Sequence, residues 1–134
     1  MKISYSLERS LLQGAVALAA AVPVSAGLTA IFGGADLLGL AGHASGDSHV
    51  RYLSGLLLGI GLAFWTMIPA IETYTDRFQL LTSVVFVGGC ARLFGIAAFG
   101  APAAGVWMAI IMELLVTPIL CIWQNQLAAR APGS

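Results

Sequence analysis

Apolar residues in this chain fall into four long stretches, at residues 11–32, 51–71, 79–99 and 106–127. The first runs 22 residues without a charge. A hydrocarbon core of roughly 30 Å needs about 20 apolar residues in a helix, so each stretch is long enough to cross a bilayer. None alternates apolar and polar positions as a membrane β-strand does. Backbone groups in lipid must bond within their own segment, so the pattern predicts helices. Between them lie a long first loop at 33–50, with a short amphipathic turn around 37–40, a polar turn at 72–78, and a tight uncharged turn at 100–105. The predicted fold is all-α: a single-domain, integral membrane four-helix bundle spanning residues 1–134.

Charge then orients the spans. Lys2, Arg9, Arg77 and Arg130 fall on one side and Arg51 on the other, which predicts both termini in the cytoplasm. Aromatic positions agree, with Tyr5, Tyr74, Phe78 and Trp123 at the inner interface and Tyr52 and Trp107 at the outer one. Val24-Ser25-Ala26 has the small residues of a signal-peptidase site, but apolar character continues through Leu28, Ile31 and Phe32. The segment therefore reads as a retained span.

Composition narrows the class. Of 134 residues, 59% are hydrophobic, 9% are charged and 16 are glycine, with no net charge. The mean hydropathy is +0.93. Soluble domains carry roughly 25% charged residues, so no watery surface is available. A nucleic-acid partner is excluded for want of a basic footprint, and a disordered chain for want of polarity. Cys90 and Cys121 differ in depth by about 9 Å, too far for a disulfide. His43, His49, Asp36 and Asp47 match no zinc or di-iron spacing, so neither metal nor cofactor is predicted.

Small residues suggest where helices meet. Gly55 and Gly59 form a G-x-x-x-G pair in the second span; Gly88, Arg92 and Gly95 share a face of the third. Ala109, Glu113, Thr117, Cys121 and Gln124 share one in the fourth. These faces are the predicted packing seams. Arg92 and Glu113, the charges deepest within spans, lie at equal distances from the centre of the turn at 100–105. In an antiparallel hairpin that places both about 11 Å in, as a buried ion pair. Arg51, with Asp47 and His49 overhanging from the loop, completes a predicted polar pocket toward the outer side. Asp47 or Ser48 is placed to cap the second helix, and Asp47 stands four residues before Arg51. Pro23, Pro69 and Pro118 are expected kinks, and Glu72, Asp76 and Arg77 a solvated turn.

Three segments, SGDSHVRYLSGLLLGIGL at 45–62, CARLFGIAAFGAP at 90–102 and MELLVTPILCIW at 112–123, carry a resemblance. They resemble a bacterial family of small four-helix integral membrane proteins that is a domain of unknown function. Its more specific elements correspond to the opening Arg51–Gly55, to Arg92 with Leu93, and to Glu113; Ala91 stands where the family usually has glycine. The resemblance implies an architecture and no activity. The expected role is a non-enzymatic accessory or scaffold protein of the inner membrane, with the bilayer and other membrane proteins as partners. A rival reading is a site for a small apolar molecule such as a quinone, lined by Arg51, Arg92 and Glu113. A third is an intramembrane enzyme using Glu113 or His49 as acid or base, which the ion pair disfavours.

Overall fold

A computed structural model describes residues 4–37, 44–100 and 104–131. All regular structure in the described residues is helical. Helix α1 covers Tyr5–Leu37 and α2 covers Ala44–Met67, followed by a 3-10 segment, Ile68–Thr73. Helix α3 is Thr75–Phe99; α4, Ala104–Ile111, passes through a π-helical turn, Met112–Val116, into α5, Thr117–Ala128. Four helical rods, 5–36, 44–73, 75–99 and 104–128, are long and apolar enough to cross a membrane.

The rods outrun the apolar stretches. Residues 44–50, expected within a loop, form the first two turns of α2, and the turn expected around 37–40 lies largely outside the described residues. Polar residues at a helix end need only point their side chains to water, so hydropathy marks where lipid begins and not where the helix does. Of the expected proline kinks, Pro69 sits in the 3-10 segment and Pro118 directly follows the π turn. Pro23 leaves no break in backbone angles; the break in α1 comes at Gly34.

The chain forms two compact units, residues 1–19 with 67–134, and residues 20–66. In the first, Leu12 and Val16 of α1 are buried, as are Met67, Ile71, Phe78, Ile110, Leu120 and Leu127. In the second, α1 and α2 run antiparallel in close contact. A Cβ at Gly27 would fall 2.8 Å from the Ser54 carbonyl oxygen, and one at Gly61 would fall 3.1 Å from that of Ala20.

The glycine seams of α2 and α3 therefore differ from those expected. Among the described residues, nothing lies within 4 Å of a Cβ built at Gly55, Gly59, Gly88 or Gly95. The contacts belong to Ser54, Leu58 and Gly61 on α2, and to Gly89 on α3. One residue's offset on a helix is a turn of about 100°, so a face chosen one position out points elsewhere. The outer surface is apolar, with Leu18, Phe32, Leu80, Phe94 and Phe99 all largely exposed. That is the surface lipid requires and water penalises.

Candidate functional site

The deepest charged pair is built by a proline and a glycine. Pro118 has no N–H for the carbonyl of Leu114, and its ring crowds that carbonyl, which widens the preceding turn. In the π turn the Thr117 N–H reaches Met112 O, and the Thr117 hydroxyl donates to the same oxygen at 2.8 Å. The widened turn presses Glu113 and Leu114 against α3 at Gly89. A Cβ there would meet Leu114 Cδ2 at 2.6 Å and Glu113 Cβ at 3.0 Å.

One turn further along α3, Arg92 Nε donates to Glu113 Oε1 at 3.1 Å. Glu113 Oε2 lies 3.0 Å from the same nitrogen but off its N–H axis, and this buried oxygen accepts no hydrogen bond. The two side chains differ in exposure: 42% for Arg92 and 15% for Glu113. Glu113 is thus enclosed behind the guanidinium, whose Nη nitrogens make no hydrogen bond among the described residues.

The second constellation lies at the break in α1. Gly34 adopts φ 62°, a backbone state that glycine alone takes without strain. The break frees backbone groups, and α2 satisfies them. Asp47 Oδ1 accepts from the Ala35 N–H at 2.9 Å, and Arg51 Nη1 donates to Ile31 O. Arg51 Nε and Asp47 Oδ2 close the clamp at 2.7 Å. Asp47 lies within the first turn of α2 and its carboxylate serves α1, so the expected cap of its own helix is not its bond. His49 is not brought to this clamp. It lies about 200° around α2 from Asp47 and lines a shallow, open depression with Ser45, Ser48 and Tyr52. Asp47 and Arg51 belong to the second unit, Arg92 and Glu113 to the first.

A third constellation, absent from the sequence reading, gathers at one end of the first unit. The 3-10 segment is broken at Ala70 (φ −131°, ψ 50°), and side chains collect its carbonyls. Arg9 Nη2 donates to Pro69 O at 2.6 Å, Gln13 Nε2 to Ile68 O at 2.7 Å, and Gln124 Nε2 to Ile71 O at 2.8 Å. Arg9 Nε also binds Glu72 at 2.9 Å, which removes Glu72 from the solvated turn expected of it. Gln124 is wholly buried and donates further to Thr75 Oγ1 at 3.1 Å. Alongside, Glu8 accepts a two-pronged bond from Arg130, at 2.9 and 2.6 Å, and a third from Trp123 Nε1 at 3.1 Å. The Glu8 carboxylate holds the Arg130 guanidinium above its ordinary value. The available signal was the spacing of Arg9 and Gln13, four residues apart on one helix face.

No group of three His, Cys, Asp or Glu suited to a metal occurs among the described residues; His43 lies outside them. Fold and site together define a small multi-pass membrane protein in which ion pairs join neighbouring helices and polar side chains meet breaks in its own helices. The chain belongs to the DUF4345 family, a domain of unknown function, whose model matches residues 11–124. No curated protein and no solved structure matches it.

Proposed function

We propose that this protein is a non-catalytic accessory or scaffold component of a bacterial inner membrane, with both termini in the cytoplasm. One observation carries the reading: the charged side chains that meet between the helices are drawn into ion pairs. Glu8, Arg9, Asp47, Arg51, Glu72, Arg92, Glu113 and Arg130 form four ion pairs. A general acid or base needs an unpaired group poised near the working pH and open to substrate. Each of these carboxylates is instead hydrogen-bonded to an arginine of the same chain. What the protein offers a partner is an apolar surface.

The test is mild solubilisation of native membranes, then size-exclusion chromatography and mass spectrometry of the chain's fraction. The expected result is a discrete complex with a stoichiometric membrane-protein partner in the inner-membrane fraction. A free monomer carrying a stoichiometric apolar metabolite overturns the reading in favour of a ligand-binding protein.

A further inference from the structure

Arg92 stands where an arginine is least expected to be half-exposed. It lies within a candidate span, eight residues before the end of α3 at Gly100, or about 12 Å along the helix axis. Its exposed neighbours Leu93, Phe94 and Phe99 are apolar. Only Nε is engaged, by Glu113, and neither Nη nitrogen has a partner among the described residues. An unpaired donor at hydrocarbon depth is costly, and lipid tails supply no acceptor. The flanking positions on that face, Gly88 and Gly95, have nothing within 4 Å where a side chain would begin, so the surface of α3 is open to either side of the guanidinium.

We propose that this face of α3 binds the phosphodiester headgroup of an anionic phospholipid, held by the two Nη nitrogens of Arg92. Geometry selects the phosphodiester, and the outward-facing guanidinium opposes a choline cation beside it. The guanidinium presents two parallel N–H donors, the arrangement that matches a phosphate or carboxylate oxygen pair. Glu113 sits behind it on Nε, keeps the plane of the fork fixed, and is itself enclosed, so it does not compete for the Nη donors. Arginine at this depth draws headgroups inward by local thinning of the bilayer. The glycines leave room for a headgroup to descend to it.

The proposal rests on α3 being a membrane span and is independent of the scaffold role. The protein is reconstituted in nanodiscs containing equal parts phosphatidylglycerol and phosphatidylcholine, released, and analysed by native mass spectrometry. Wild type is expected to retain one phosphatidylglycerol in preference to phosphatidylcholine. R92Q should lose that preference by about tenfold, the value of one charge-assisted hydrogen bond. R92Q/E113Q leaves no orphan carboxylate and gives the same loss in a folded chain. E113Q keeps the fork and retains the lipid. R77Q, at the opposite end of α3 and about 22 Å away along the axis, retains it too. Equal lipid retention in wild type and R92Q/E113Q overturns the proposal. So does a wild-type dimer that R92Q abolishes, because the acceptor is then a second chain. Failure of the chain to enter nanodiscs would instead refute α3 as a span.

Discussion

Gly88 and Gly89 are adjacent, yet only the second is under a packing constraint. At Gly89 a methyl group must displace Leu114 and press on Glu113 Cβ at 3.0 Å; at Gly88 it meets open space. We expect Gly89→Ala to cost about 1–3 kcal/mol by overpacking. Gly88→Ala should be neutral or stabilising by up to about 1 kcal/mol, from helix propensity. Thermal unfolding in detergent separates the two, and equal shifts would contradict the packing. The same measurement applies to the ion pair beside them. Glu113 is more enclosed than Arg92, so the orphan left by Arg92→Leu is the costlier one. Arg92→Leu should cost about 3 kcal/mol, and Glu113→Leu less, because a half-exposed guanidinium reaches other partners. The double variant should recover part of the loss. Additive losses would show that the two groups do not interact.

At the scale of elements, two of the helix breaks are closed by side chains from a neighbour. The Gly34 break is held by Asp47 and Arg51 of α2. The 3-10 break after α2 is held by Arg9 and Gln13 of α1 and by Gln124 of α5. The reason is the same in both: a freed carbonyl or N–H near lipid finds no water and must be met by protein. Gly34→Ala combines a left-handed backbone angle with a Cβ placed against the Asp47 carboxylate. Its expected cost is about 2 kcal/mol or more, read as a lowered unfolding temperature. Arg9→Met removes the donor to Pro69 O and the partner of Glu72 together. Hydrogen exchange followed by mass spectrometry should then show faster exchange confined to residues 68–73 and their flanks. Unchanged protection there would mean that the segment holds itself.

For the whole molecule the decisive quantity is orientation. Four cationic residues, Lys2, Arg9, Arg77 and Arg130, flank the spans on one side against Arg51 on the other, and acidic neighbours count little in that balance. A reporter active only in the cytoplasm should therefore work when fused after Ser134 or inserted at 74–76, and fail when inserted at 38–43. Activity at 38–43 would invert the topology. Lys substituted on both flanks of that loop should weaken the bias, because orientation follows the difference in positive charge across the membrane.

The sequence by itself determined the class and the four spans, because apolar run length is a local property that bilayer thickness converts directly into helices. It also carried the meeting of Arg92 with Glu113, since two helices joined by a short turn leave a single antiparallel register. What it did not carry is rotation about each helix axis. The seam of α2 runs through Ser54, Leu58 and Gly61 rather than Gly55 and Gly59, and α3 packs at Gly89 rather than Gly88. In a chain with 16 glycines every helix face offers small residues, so composition cannot choose among them. Tertiary structure alone decided the contacts of Glu8, Arg9, Gln13, Glu72 and Gln124. Their partners lie more than 45 residues away, and several are backbone carbonyls freed by a break in another helix. A free carbonyl carries no residue signature of its own. Which side chain reaches it depends on how the helices pack.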